Sequence, residues 1–248
     1  MDPVALQIGP ITIYWYGIII SSAILLGSFL ALREAGRQGV DQDKLLNLIL
    51  IALPVGIIGA RAYYVIFNYQ LYAGDFMKMI AIWEGGLAIH GGLLGGFGAG
   101  YIYTRMANLK FWQLADIFAP SIVLGQAIGR WGNYFNQEAY GYVTDLPWAM
   151  YIDGAYRHPT FLYEFIWNLG VFGILLWMRK KKDYVVGEIF LAYAILYSVG
   201  RFFIEGFRTD SLMIGPLRTA QLISIIIIVV ATAAIYIRRK MNSNKGKA

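Results

Sequence analysis

The sequence predicts an all-α, polytopic membrane protein with a bundle of about seven transmembrane helices, and three observations predict it. Of 248 residues, 58% are hydrophobic and 15% charged, and the mean hydropathy is +0.54, more apolar than a soluble core of this size uses. Runs approaching the roughly 20 apolar residues that cross a hydrocarbon layer recur along the whole chain. Lysine and arginine collect in alternate loops between those runs.

The first run, 14–32, has no basic segment before it and no small-residue cleavage site, so it reads as a retained helix. The second and third follow at 45–67 and 87–104, and the third opens in "EGGLAIHGGLLGGFGAG". Its pairs Gly91/Gly95, Gly92/Gly96 and Gly96/Gly100 have the spacing that lets helices approach closely in lipid. The fourth run, 115–129, is short and passes into a polar stretch. The fifth, sixth and seventh are 160–178, 186–204 and 214–237. No linker, low-complexity tract or repeat divides the chain, so residues 1–248 are expected to form a single integral membrane domain, with a short extracytoplasmic loop region around 130–159.

Cytoplasmic loops retain positive charge. One set of loops carries fourteen Lys and Arg, including Arg33, Arg179 to Lys182 and the tail up to Lys247, and the other carries four: Lys78, Arg130, Arg157 and Arg208. The N-terminus is therefore expected outside and the C-terminus in the cytoplasm. The formal charge of +6 reads as this topology signal plus attraction to anionic lipid, and it implies no nucleic acid. With no cysteine in the chain, any thiol chemistry must use a substrate's thiol.

Charge inside a span costs roughly 2.5–3.5 kcal/mol per group at mid-helix, so the remaining ionisable groups call for a reason. Arg61, His90, Arg130 and Arg201 all fall toward the outer side of their spans, and Tyr16 in "YWYG" joins them. Tyr197, Arg201, Glu205 and Arg208 lie along one helical face. A single arginine near a helix end can snorkel to the interface, Arg201 with Glu205 can be a structural ion pair, Tyr14 and Trp15 read as an interfacial belt, and His158 as a loop histidine. Convergence of several cations on one side points instead to a ligand. Arginine binds phosphate through paired, planar hydrogen bonds, and the phosphate always present at that depth belongs to a phospholipid. His90, flanked by glycines, is suited to proton transfer near neutral pH. The residues alone leave open a lipid enzyme, a phospholipid or anion transporter, and a structural lipid annulus, although matching interrupted helices that mark inverted-repeat transporters are not evident. A G-x-S-x-G elbow and an intramembrane aspartate pair are both missing.

"GRWGNYFNQEAYG" at 129–141 matches position by position the signature G-R-x-G-N-[FY]-x-N-x-E-x-x-G, and by it the chain resembles the prolipoprotein diacylglyceryl transferases. The resemblance extends over "WYG" at 15–17, "GARAYYVIF" at 59–67, "HGGL" at 90–93, "RHPTFLYE" at 157–164 and "YSVGRFFIEGFR" at 197–208. It departs from many members in the short stretch 142–159, where they carry a larger insertion. The resemblance implies transfer of the diacylglyceryl group of phosphatidylglycerol to the lipobox cysteine of a prolipoprotein signal peptide, with release of glycerol phosphate. It also implies a bacterial cytoplasmic (inner) membrane, an active site facing the outer leaflet, and no cofactor or metal. Under it, His90, Arg130, Tyr197 and Arg201 are the expected catalytic residues: the arginines grip phosphate, and His90, with Tyr197 as rival or relay, takes the thiol proton. Tyr16, Arg61, Asn133, Asn136, Glu138, Gly141, Glu205 and Arg208 are expected to bind substrate, Glu205 by orienting Arg201 and the Asn/Glu series by holding the headgroup or bracing Arg130.

Overall fold

The computed structural model describes residues 2–9, 11–181 and 183–245; Lys182 and Lys247 of the charge pattern lie outside the described residues. A hairpin of β1 (Val4–Ile8) and β2 (Ile11–Tyr14) leads into α1 (Trp15–Arg37), then α2 (Gln42–Phe67), a short α3 (Phe76–Ile80), α4 (Ile89–Met106) and α5 (Phe111–Phe135). A second hairpin, β3 (Met150–Ile152) and β4 (Ala155–Arg157), precedes α6 (Thr160–Met178) and α7 (Glu188–Glu205). A third, β5 (Met213–Ile214) and β6 (Leu217–Arg218), precedes α8 (Thr219–Lys245). All three hairpins are two-stranded and antiparallel.

Among the described residues, the seven long helices correspond to the seven expected spans. Five of them, α1, α2, α5, α6 and α8, are long and apolar enough to cross a membrane. The other two, α4 and α7, have 18 residues each, about 27 Å of helix, close to the hydrocarbon thickness. Several helix ends differ from the expected runs, and two of the differences have a local cause. The fourth helix continues six residues past Gly129 to Phe135, because Arg130 finds a carboxylate partner in Glu164 and need not leave the helix. The last helix begins at Thr219 rather than at 214, because Gly215, at φ 60°, turns β5 back into β6.

The chain divides into two compact units, one of Met1–Ala31 with Ala115–Ala248 and one of Leu32–Leu114. In the second, α2 starts on Asp41, whose carboxylate accepts from the amides of Asp43 and Lys44, a side-chain cap for the orphan donors of the first turn. Helices α2 and α4 then meet glycine on glycine. A Cβ placed on Gly59 would lie 2.5 Å from the Gly91 carbonyl oxygen, and one on Gly95 would lie 2.7 Å from that of Val55. The small-residue spacing is thus used at Gly91, Gly92, Gly95 and Gly96, whereas Gly100 faces open space. Because the obstacle at Gly59 is backbone, no rotamer change relieves it. Gly59→Val is expected to destabilise the unit by roughly 1–3 kcal/mol or more, read as a lower melting temperature of the purified chain in detergent.

The other unit is built on α5, α6, α7 and α8. Ala119 and Val123 of α5, Val171 and Leu175 of α6, and Ile189 and Ala192 of α7 form its buried apolar centre. One end of this bundle is tied by Asp116, whose carboxylate accepts from the Gly187 amide at 2.5 Å and the Phe190 amide at 2.9 Å, capping α7 from a neighbouring helix. Arg179 Nη2 donates to the Asp116 and Ile117 carbonyls, both at 2.6 Å. Arg130, Arg201 and Glu164 meet at the opposite end. The lengths of α5, α6 and α7 therefore separate two polar clusters.

Candidate functional site

Glu164 stands one turn inside α6 and is 4% exposed. A buried carboxylate in a membrane helix calls for partners, and it has them on both sides. Arg130 of α5 ion-pairs with its Oε2, and Arg201 Nη1 of α7 donates to its Oε1 at 3.1 Å. Arg201 Nη2 also stands 2.8 Å from Glu205 Oε2, a charge contact without the alignment of a hydrogen bond. Arg208 lies 3.9 Å from both Glu164 and Glu205, and its Nε and Nη2 donate to Asp210 at 2.9 and 2.7 Å. Of the residues expected along one helical face, Tyr197, Arg201 and Glu205 lie in α7, whereas Arg208 stands just past its end, bridged to Gly141, and Glu164 joins Glu205 in contacting Arg201.

Around this centre the charges do not cancel. Arg218 donates to the Glu205 and Arg208 carbonyls and to the Tyr142 hydroxyl, and to Ser211 Oγ at 3.0 Å. Ser211 in turn donates to Glu205 Oε1 at 2.6 Å. Four guanidiniums thus face three carboxylates, leaving positive charge in excess. Arg130 and Arg201 keep 17% and 22% of their side chains exposed, while Glu164 keeps 5%. The cations are the accessible partners, so the cluster presents itself to an anion. Outside the spans, the paired hydrogen bonds from Arg208 hold the Asp210 carboxyl below its ordinary range. The Tyr140 hydroxyl, which donates to Asp153, is pushed up by that bond.

The polar run that follows Arg130 is organised differently from expectation. Tyr16 packs its ring on α5 where Gly132 leaves room: a Cβ there would sit 2.5 Å from a ring carbon. Trp15 stacks on Phe135 at 5.1 Å. The glycine of the signature is thus required by the close approach of α1, which brings "WYG" and "GRWGN" together. Asn136 Nδ2 donates to Glu138 Oε1 at 3.3 Å, and Asn133 gives its carbonyl to the Glu138 amide at 3.0 Å. Arg130 itself is braced by Glu164. Gly141, expected to contact substrate, has a structural task here: its amide donates to the His158 carbonyl at 3.0 Å, and a Cβ would lie 2.6 Å from His158 Cβ and 2.9 Å from the Phe207 carbonyl oxygen. His158 Nδ1 in turn lies 3.1 Å from the Tyr163 hydroxyl, which accepts from Trp148 Nε1 at 2.8 Å.

Arg61 and His90 belong to the other unit. His90 is exposed in the first turn of α4, its ring 6.0 Å from that of Tyr63. Arg61 is 5% exposed. Its Nε donates to Met79 O at 2.9 Å, its Nη1 to Gly85 O at 2.6 Å and Gly86 O at 3.1 Å, and its Nη2 to Lys78 O at 2.5 Å. Its guanidinium also lies 4.9 Å from the Tyr72 ring centre. Arg61, expected to line a lipid chamber, thus braces the segment leading to His90 through the backbone carbonyls that its donors reach.

The central residue absent from the sequence-derived set is Glu164. A signal for it existed, because it is the one acidic residue in the run from Thr160 to Met178, and an isolated carboxylate in an apolar run demands a cationic partner. Among the described residues no group of three or more His, Cys, Asp and Glu is placed to hold a metal ion.

The sequence is similar to those of known proteins. Residues 3–237 match the family model described as prolipoprotein diacylglyceryl transferase. The phosphatidylglycerol–prolipoprotein diacylglyceryl transferase of Geobacillus kaustophilus (strain HTA426) is 52% identical over 252 residues, covering 96% of this chain and 93% of the relative. That of Clostridioides difficile (strain 630) is 50% identical over 245 residues, covering 98% of each. With a family match over nearly its whole length and half its residues shared with such relatives, this multi-pass membrane chain belongs to the prolipoprotein diacylglyceryl transferase family.

Proposed function

We propose that Arg130 and Arg201 hold the phosphate of phosphatidylglycerol while its diacylglyceryl group passes to the lipobox cysteine of a prolipoprotein. The observation that carries this is the pair of partly exposed arginines from α5 and α7 sharing one buried carboxylate, Glu164. A thiolate attacks the glycerol carbon that bears the phosphate oxygen; the S–C bond forms, the C–O bond breaks, and the electron pair leaves on phosphate as glycerol phosphate. That departing charge is what guanidiniums stabilise. The thiol proton goes to His90, with Tyr197 as its alternative or relay. The ready-made field of the arginine cluster needs no reorganisation as charge develops.

The site faces the outer leaflet of the bacterial cytoplasmic membrane in this reading, with the N-terminus outside and the C-terminus inside. Two features support it: the lysines and arginines of the sequence accumulate in the opposite set of loops, and a lipobox precursor presents its cysteine at the outer face. Tyr16 on α1 and the Asn133 to Glu138 turn flank Arg130 and contact the glycerol headgroup. The short stretch 142–159, with its β3–β4 hairpin, is the surface available to the peptide.

Incubating the purified chain with phosphatidylglycerol and a lipobox peptide is expected to add one diacylglyceryl mass to the peptide cysteine and to release glycerol phosphate. His90→Gln should lose most of that rate. Peptide cleavage without a mass gain, or movement of headgroup-labelled lipid between leaflets with the headgroup retained, would overturn the reading. Retention of full rate by His90→Gln would move the proton acceptor elsewhere.

A further inference from the structure

We propose that a second, uncharged subsite lies one helical turn from the arginine layer, made by Gln126, Asn168 and Tyr197, and that it binds the acyl-ester carbonyls of a diacyl phospholipid. The proposal rests on the reading of Arg130 and Arg201 as a phosphate grip. Helices α5, α6 and α7 each give one residue to the charged layer: Arg130, Glu164 and Arg201. Four residues along each helix stands an uncharged hydrogen-bonding side chain: Gln126, Asn168 and Tyr197. On α5 and α7 these precede the arginines, and on α6 Asn168 follows Glu164. Because α6 runs antiparallel to its neighbours, with Asp116, Arg179 and Gly187 tied at the far end, all three displacements point the same way, into the bundle. Four residues advance about 6 Å and return to nearly the same helix face. The second layer is therefore parallel to the first.

Hydrogen bonding sets this layer apart from ordinary core. Asn168 is 2% exposed, and its Nδ2 has no partner among the described residues. An unpaired buried donor is costly, which calls for an acceptor that the chain itself does not supply. Gln126 Oε1 accepts from the Tyr193 hydroxyl at 3.2 Å, which fixes the amide's orientation and directs its Nε2 donors away from Tyr193. The Tyr197 ring stands 5.9 Å from that of Tyr193 on the same face. Gln126 and Tyr197 are only partly buried, so a ligand has access to them. Amide N–H and phenol O–H groups are donors, and an ester carbonyl is an acceptor with no donor of its own. In a diacyl glycerophospholipid the first carbonyl lies a few bonds inward of phosphorus, about one helical turn of length. Gripping the phosphate thus brings an ester carbonyl to the second layer. Tyr193 acts as a positioning residue for Gln126.

The test compares diester and dialkyl-ether phosphatidylglycerol of matched chain length, which share headgroup and hydrocarbon and differ in the carbonyls. Native mass spectrometry of the full chain, titrated with each lipid, reads binding without turnover. The diester lipid is expected to bind about tenfold more tightly, the ratio that two modest hydrogen bonds give. Gln126→Leu should draw the ratio toward one while leaving the diether affinity unchanged. In the infrared, the stretch of 13C-labelled ester carbonyls should shift to lower wavenumber on binding the unsubstituted chain and shift less in Gln126→Leu. Equal binding of the two lipids by the unsubstituted chain would overturn the subsite, as would variants that weaken both lipids alike. Arg130→Ala should weaken both lipids equally and keep the ratio. If it weakened neither, the phosphate grip would fail, while the diester-to-diether ratio would still decide the subsite.

Discussion

Arg130→Lys is expected to lower kcat/KM for phosphatidylglycerol about 100-fold or more while the chain stays folded. The side chain has two tasks. One nitrogen of its guanidinium pairs with Glu164, and the remaining donors of the same rigid plane are left for the substrate phosphate. A guanidinium serves two anions at once because its donors diverge in a fixed fork. The lysine ammonium is a compact point charge on a stem that ends short of that fork, so it follows Glu164 or the phosphate and not both. Losing a single preorganised donor to a developing oxyanion costs about 10²–10³ in rate. Because the positive charge is retained, Glu164 keeps a counter-ion and the melting temperature should change little. Steady-state kinetics with a lipobox peptide, alongside a thermal melt of the same sample, separates the two effects. Near-normal kcat/KM in Arg130→Lys would mean that the phosphate is held elsewhere.

Glu164 should give the largest structural effect, and its two replacements should behave differently. Glu164→Ala leaves Arg130 and Arg201 facing each other across a gap. Breaking a buried pair by removing one partner costs about 3–5 kcal/mol, and the partial exposure of both arginines places this site at the lower end. A lower melting temperature and reduced yield from the membrane are the expected signs. Glu164→Gln keeps the shape and removes the charge. The carboxylate competes with the substrate phosphate for the same guanidiniums, so its neutralisation should tighten anion binding, lowering KM and, by retaining glycerol phosphate, lowering kcat as well. An unchanged melting temperature in Glu164→Ala would show that the carboxylate does not hold the two arginines together.

Local features made the helices legible, and partners distant in sequence made the site less so. The span Thr160–Met178 coincides with its expected bounds, because Pro159 precedes it, Arg179 follows it, and its apolar run is almost unbroken. The fourth helix was expected to end at Gly129 because the next residues are polar, yet Arg130 remains helical when a carboxylate on another helix receives it. The hairpin at Met213–Arg218 was hidden inside an apolar run, where Gly215 decides the turn. In the site, the cations were legible because charge in an apolar run is conspicuous. What each cation faces was not. Arg61 and Arg130 look alike along the chain, but one is enclosed by backbone carbonyls and the other meets Glu164. That difference depends on pairings between segments, which a pattern along one strand of sequence does not encode.

Asp116 bears on how the bundle is assembled during synthesis. Its carboxylate is 2% exposed, and the first amide it accepts from, that of Gly187, lies 71 residues further along the chain. A ribosome that has delivered α5 has therefore placed an acid in the membrane segment before its acceptor-starved partner exists. Only after α6 has crossed and the chain has turned does the start of α7 bring Gly187 and Phe190 to it. The end of the bundle away from the arginine cluster is thus closed by a residue made early and completed by residues made late, and α5 reaches its final environment only when the α6–α7 pair is in place.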